Sequence, residues 1–180
     1  MAKTLLEKYR KNVIPAMQKD FGIKNVMAVP KFEKAVINVG IGRIAKEDKT
    51  IERIMNDVVL LSGQKPVFKK AKKSIASFKL RAGTNVGIAV TLRGKRMYDF
   101  MDRLINIALP RSKDFRGIDQ KNFDQRGNLN IGIKESSIFP ELNYESVKDI
   151  FSLEVSFATT AKNREQGVAL FKQMGFPIKN

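Results

Sequence analysis

The chain has 180 residues, 43% of them hydrophobic, which suits a single domain with its own core over residues 1–180. Its 34 Lys and Arg against 18 Asp and Glu give a net charge of +16, a balance typical of nucleic-acid-binding proteins. Cys and His are absent, which excludes disulfides, thiol chemistry, His-based catalysis and Cys- or His-ligated zinc. We therefore predict no cofactor and no metal site.

Nothing in the sequence predicts a membrane protein. No apolar run approaches the length of a membrane span, and charged residues interrupt the N-terminal segment Met1–Lys11 where a signal peptide would need an apolar core. Trp is absent, and the basic residues surround strand-like segments rather than one amphipathic helix, which disfavours a membrane-surface role. We expect a protein of the cytosol, or one made and used inside an organelle.

Hydrophobic periodicity predicts helices and strands that alternate along the chain. A first helix starts near Leu5, is expected to kink at Pro15 and stops at Gly22. The remaining predicted elements are a strand at Ala35–Val39, a helix at Asp48–Leu61, a short strand at Pro66–Ala71, a strand at Val86–Arg93, a helix at Arg96–Ala108 closed by Pro110, strands at Leu129–Lys134 and Phe151–Ala158, and a helix at Asn163–Met174.

The predicted strands alternate between apolar residues and small or polar ones, which indicates a sheet covered on one side only. We predict an α+β fold, an antiparallel sheet with helices packed on one face and an open polar face. The polar positions are Asn38, Gly87, Ala89, Thr91, Arg93, Asn130, Gly132, Lys134, Ser152, Glu154 and Ser156. Because this face shows almost no aromatic side chain, it suits phosphates, riboses and folded RNA better than stacked bases.

Between Val58 and Tyr98 the chain has ten basic residues and no acidic one. Such a one-sign stretch repels itself unless a polyanion neutralises it, and nucleic acid is the polyanion that Lys and Arg most often meet. Within this stretch lies a long basic loop, at about residues 72–86. Its cations surround small and apolar residues that cannot bury themselves well, so we expect it to be ordered by a partner.

Two other patterns could carry chemistry, and both are weak. Gly40-Ile41-Gly42-Arg43-Ile44-Ala45 resembles a dinucleotide-binding turn, but the next strand ends in lysines rather than the acidic residue that a ribose requires. The carboxylate pairs Asp99 with Asp102 and Asp119 with Asp124 have no spacing typical of a metal or acid–base site. A non-catalytic RNA-binding protein is favoured, with an RNA-acting enzyme or a DNA-architectural protein as the alternatives.

Several short motifs together resemble the signature of the bacterial large-subunit ribosomal protein L5 family. They run in family order over nearly the whole chain: Leu60 to Val67, Lys70 to Ala76, Phe78-Lys79-Leu80-Arg81, Val90 to Gly94, Leu109-Pro110-Arg111, Asp114 to Gly117, Ile138 to Glu141, and Thr159 to Lys162. The sequence departs from the family pattern at Lys69, where the family usually has a small hydroxyl residue.

The resemblance implies a structural protein of the cytoplasmic ribosome, without enzymatic activity. It implies binding to 5S rRNA, attachment of that RNA to 23S rRNA in the central protuberance, and contact with neighbouring proteins there. It further implies that the basic loop contacts peptidyl-site tRNA, and that the protein forms an intersubunit bridge to the small-subunit head protein S13.

The resemblance also implies a role for particular residues. The rRNA contacts would be Asn38, Gln64, Lys65, Thr91 and Arg93, of which Asn38, Thr91 and Arg93 are also positions of the predicted polar face. The tRNA contacts would be Lys72, Lys73, Ser74, Ile75, Ala76, Ser77, Phe78, Lys79 and Arg81. The bridge would be formed by Arg111, Lys113, Asp114 and Arg116.

Overall fold

The computed structural model describes residues 4–44, 47–78, 80–113, 115–142 and 150–179, without the side chains of Arg43 and Phe78. Within them five antiparallel strands form one sheet, in the order β2-β3-β1-β5-β4. The strands are β1 (Phe32–Gly40), β2 (Val67–Lys70), β3 (Asn85–Leu92), β4 (Leu129–Ile133) and β5 (Leu153–Thr159). Together with the helices they confirm the predicted α+β class and antiparallel sheet.

The longer helices lie close to their predicted positions. They are α1 (consecutive segments Leu5–Lys8, Tyr9–Val13 and Ile14–Phe21), α2 (Asp48–Ser62), α3 (consecutive segments Gly94–Arg103, Leu104–Ala108 and Leu109–Arg111) and α4 (Arg164–Met174). Short 3₁₀ turns lie at Val26–Ala28, Gly42–Ile44, Ala76–Phe78, Gln120–Asn122 and Ser136–Ile138. In the described ranges, none of the helices has the length and apolarity needed to cross a bilayer.

Both helical prolines are accommodated by a widened turn. Pro15 and Pro110 each stand two residues after a π-helical segment, Tyr9–Val13 and Leu104–Ala108 respectively. A proline cannot donate to the carbonyl four residues before it, and that carbonyl falls inside the π-helical segment in both cases. The expectation that Pro110 closes its helix was therefore wrong, because the helix continues to Arg111.

The chain divides into two compact units. One comprises Met1–Ala35, Arg93–Ile131 and Ser156–Asn180, and the other comprises Val36–Leu92 and Gly132–Val155. That the two units form one domain stays a prediction.

The first unit is built around phenylalanine rings. The ring of Phe171, from α4, makes edge-to-face contacts with Phe32 and Phe176, both with centroids 4.9 Å apart, and with Phe123 at 5.3 Å. Such pairs contribute roughly 0.5–1.5 kcal/mol each beyond the burial of their area. They fix α4 on the strand residue Phe32 within this unit.

The second unit has an aliphatic core between α2 and the strands. Ile54 and Leu61 of α2, and Ile37, Ile88 and Leu92 of the strands, are each at most 2% exposed. Helix α2 contacts β3. Because α2 contributes its apolar stripe at helical spacing, one face of the strands here is covered and the side chains between the apolar ones point the other way.

Candidate nucleic-acid interface

The strands separate apolar from polar side chains as predicted at most positions. On β3, Ile88, Val90 and Leu92 are buried while Thr91 is exposed, and β4 alternates in the same way, with Asn130 and Gly132 exposed. On β5, Leu153 and Val155 are buried and Glu154 is exposed. The exposed side of the strands, which we call the polar face, therefore carries hydrogen-bonding groups that the core does not use.

Two positions predicted to be open are in fact buried. Gly87 and Ala89 lie on the polar side of β3, yet Ala89 is only 5% exposed and Gly87 is also buried. A Cβ at Gly87 would meet the Asn38 Oδ1 at 3.6 Å and the Lys69 Cβ at 3.7 Å. The longer side chains of the two neighbouring strands thus cover a small residue on a central strand, even where that residue lies on the polar side of the sheet.

The segment after α2 brings Gln64 to the polar face. Gly63 ends the helix with a left-handed φ of 66°, and its N–H donates to the carbonyl of Val59. The buried Ser62 hydroxyl accepts from the backbone N–H of Gln64 at 3.3 Å. The Gln64 side-chain amide then donates to the carbonyl of Thr91 at 3.3 Å. The β2–β3 pairing ends at Ala89, so β2 offers no partner to the carbonyl of Thr91. The Gln64 amide takes the place of that partner.

The resemblance assigns rRNA contacts to four further residues besides Gln64. Asn38, Lys65, Thr91 and Arg93 are all exposed. Within the described residues, their side chains have no hydrogen bond or ion pair. An amide, a hydroxyl, an ammonium and a guanidinium are therefore free to meet a ligand, and the two cations suit phosphate oxygens.

Lys69 is a further cation of this face that the family motifs do not select. It pairs with Gly87 in the β2–β3 register, is exposed, and its Cβ lies on the same side of the sheet as Asn38. Strand alternation places Lys69 on the face opposite Phe68 and Lys70, but only the register shows that this face is the polar one.

The predicted basic loop is an extension of the β2–β3 hairpin. Backbone hydrogen bonds join Ala71 to Thr84 at 2.8 Å, and Ile75 and Leu80 bond each other at 2.9 and 3.1 Å. Ile75 is 43% exposed. Residues 72–77 and Arg81 are exposed, so the hairpin extension presents Lys72, Lys73, Ser74, Ile75, Ala76, Ser77 and Arg81 to solvent. Lys79 and the side chain of Phe78 lie outside the described residues.

The residues predicted for the intersubunit bridge lie where α3 ends. Arg111, Lys113 and Arg116 are exposed, and Asp114 lies outside the described residues. The connector then pairs with the C-terminal segment, because the Ile118 N–H donates to the carbonyl of Pro177 at 2.7 Å. Three exposed cations at the end of α3 and on the connector after it suit an acidic or RNA partner.

Comparison with known proteins identifies the family. Residues 25–81 match the model of ribosomal protein L5, and residues 85–178 match the model of the C-terminal region of the ribosomal L5P family. The chain belongs to the ribosomal protein L5 family. The resemblance inferred from the motifs is thereby confirmed.

Full-length relatives are similar throughout. The large ribosomal subunit protein uL5 of Chloroflexus aggregans is 50% identical over 180 residues, covering all of both chains. The uL5 proteins of Herpetosiphon aurantiacus and Geotalea daltonii are 52% and 50% identical over 176 residues, covering 98% of each chain. The chain is thus a ribosomal protein of the large subunit, a structural and RNA-binding component of translation and not an enzyme.

The assignment of the two faces of β3 can be tested by neighbouring substitutions. Leu92 is 0% exposed, so Leu92→Ala should lower the free energy of unfolding by roughly 2–5 kcal/mol. Thr91 is exposed and its side chain has no partner among the described residues, so Thr91→Ala should change it by no more than about 0.5 kcal/mol. Urea unfolding of both variants measures the difference. If Thr91→Ala unfolds the protein while Leu92→Ala has no effect, the faces are reversed.

Proposed function

We propose that the protein binds 5S rRNA through the polar face and helps attach it to 23S rRNA in the central protuberance, beside neighbouring proteins of that region. Membership of the ribosomal protein L5 family supports this proposal. The observation that carries it is the set of four exposed side chains, Asn38, Lys65, Thr91 and Arg93, which have no internal partners in the described residues. These exposed groups are available to a ligand, and the two cations among them favour one that carries phosphates.

The chemistry of these groups favours the RNA backbone as their ligand. Arg93 stands in an extended conformation at the start of α3 and can donate two N–H groups to one phosphate. Asn38 and Thr91 can each donate to a phosphate oxygen or exchange hydrogen bonds with a 2′-hydroxyl. Since no described residue of the polar face offers an aromatic ring beside these groups, recognition would follow the shape of the folded RNA rather than stacking of splayed bases.

The two further basic segments would serve different partners. We propose that the hairpin extension contacts peptidyl-site tRNA, since it presents Lys72, Lys73 and Arg81 to solvent with an exposed apolar residue, Ile75, among them. The connector with Arg111, Lys113 and Arg116 would contribute to the bridge with S13. Both proposals rest on the family together with the exposure of these side chains.

Binding to 5S rRNA should depend on Arg93 and on salt. Losing one charge-assisted phosphate contact costs about 1.5–3 kcal/mol, so Arg93→Ala should weaken binding roughly ten- to hundredfold. The log–log slope of affinity against salt should also become less negative by about 1, since one phosphate contact is removed. A filter-binding titration of a 5S rRNA transcript at several salt concentrations measures both quantities.

The matched control for this titration is Arg126→Ala. Arg126 is an exposed arginine of the turn before β4, and its loss removes the same charge. Equal weakening by Arg93→Ala and Arg126→Ala would mean that only net charge matters. A slope near zero for the unaltered protein would contradict an electrostatic interface, and equal binding of bulk tRNA or duplex DNA would contradict specificity for 5S rRNA.

The hairpin extension should be separable from 5S rRNA binding. Replacing residues 74–81 with two glycines removes the Ile75–Leu80 pair but leaves Ala71 opposite Thr84. Because the polar face is untouched, folding and 5S rRNA affinity should stay within about twofold, while ribosomes carrying the variant should release peptidyl-site tRNA faster. Gel shift and tRNA dissociation from purified ribosomes measure the two effects. Lost 5S rRNA binding with unchanged tRNA retention would show that the role of the extension is misassigned.

A further inference from the structure

A cavity of about 430 Å³ opens on the polar face, outside the group formed by Gln64, Thr91 and Arg93. It lies where the end of β1 meets the start of β5 and the end of β4. Its lining includes Asn38, Gly40, Gly132, Lys134, Ser152 and Glu154. The cavity is a depression that is largely open to solvent rather than an enclosed site. We call it the Gly132 pocket.

Glycines create the depth of the Gly132 pocket. A Cβ built on Gly40 or on Gly132 would meet no atom within 4 Å, so each glycine leaves open space on the polar side of its strand. Neither glycine has the positive φ that would explain its presence by backbone conformation. A glycine in a strand without a conformational reason often marks a place where a ligand approaches the backbone closely.

The charged side chains of the pocket point to the chemistry of its ligand. Lys134 and Glu154 both line it, yet among the described residues neither makes an ion pair or hydrogen bond. The ammonium of Lys134 suits a phosphate. The carboxylate of Glu154 repels phosphates and can only accept hydrogen bonds, so a ligand placed here must bring donors as well as a negative charge.

Among the parts of an RNA chain, a guanine nucleotide meets both requirements. Its base carries two parallel donors, N1–H and N2–H, on the edge that is free when the base is unpaired, and these match the two oxygens of one carboxylate. The other three bases offer only one donor group on that edge. An unpaired base read along this edge is the usual target of sequence-specific RNA recognition by proteins.

On the basis of the proposed function, we propose that the Gly132 pocket binds one unpaired guanine nucleotide of 5S rRNA. Glu154 would accept from N1–H and N2–H of the base, and Lys134 would neutralise the adjoining phosphate. The amide of Asn38, which lines the pocket and also faces Gly87, would link this nucleotide to the backbone contacts on the β3 side of the polar face. The polar face would thus read one base besides following the shape of the RNA.

Filling the pocket tests the proposal without disturbing the core. Gly132→Val places a branched side chain in open space on an exposed strand position, where β-branched residues are favoured. It should lower the affinity for a 5S rRNA transcript at least fivefold. The control Asn12→Val adds a similar apolar side chain at an exposed position of α1, which is not part of the polar face, and should leave affinity within twofold. Thermal unfolding monitored by circular dichroism checks that both variants fold.

The variant Glu154→Gln separates base recognition from simple charge repulsion. If the carboxylate accepts from guanine, removing one of its two charged acceptors should weaken binding about threefold or more. If it merely repels nearby phosphates, the same change should strengthen binding. Equal or tighter binding of Glu154→Gln would therefore overturn the proposal.

Chemical probing with kethoxal, which reacts with N1 and N2 of unpaired guanines, identifies the base directly. One guanine that is reactive in free 5S rRNA should become protected in the complex and regain reactivity with Gly132→Val. Unchanged affinity and unchanged protection with Gly132→Val would overturn the pocket alone, leaving 5S rRNA binding in place. If the unaltered protein does not bind the transcript, the proposed function fails, and the pocket proposal with it.

Discussion

Successive side chains of a β-strand point to opposite sides of the sheet, and the interface depends on this constraint. Along β3 it directs Ile88 and Leu92 into the core and Thr91 to the surface. Slipping the register by one residue would exchange the two sets, burying polar groups and exposing apolar ones. The energy that holds the core together therefore also holds Thr91 and its neighbours in a fixed array facing solvent.

Helix α2 contributes to the interface by the way it ends. The sequence Ser62-Gly63-Gln64 combines a buried hydroxyl, a left-handed turn and an amide that reaches the carbonyl of Thr91. The free polar side chains nearby consequently stand on a closed hydrogen-bonded framework rather than on a loose loop. Such preorganisation lowers the conformational entropy that binding would otherwise cost.

The elements and faces with strong periodicity could be predicted from the sequence. The alternation in β4 and β5 and the helical spacing in α2 depend on local residues alone. The termination of a helix at Pro110 was predicted wrongly, because a π-helical segment accommodates the proline. The burial of Gly87 could not be foreseen either, since it comes from Asn38 and Lys69 on adjacent strands. The Gly132 pocket likewise forms only because β1, β5 and β4 are neighbours in the sheet. No local sequence pattern predicts which strands become neighbours.

The most direct test of an interface on the polar face is to measure which side of the sheet the RNA covers. Isotope-coded acetylation, with and without bound 5S rRNA, measures how far the RNA protects each lysine. Lys65, Lys69 and Lys134 belong to the polar face or its margin and should be protected in the complex. Lys19 and Lys121 are exposed on α1 and on the turn at Gln120–Asn122, and should react equally in both states. Uniform protection of all five lysines, or protection confined to the last two, would contradict an interface on the polar face.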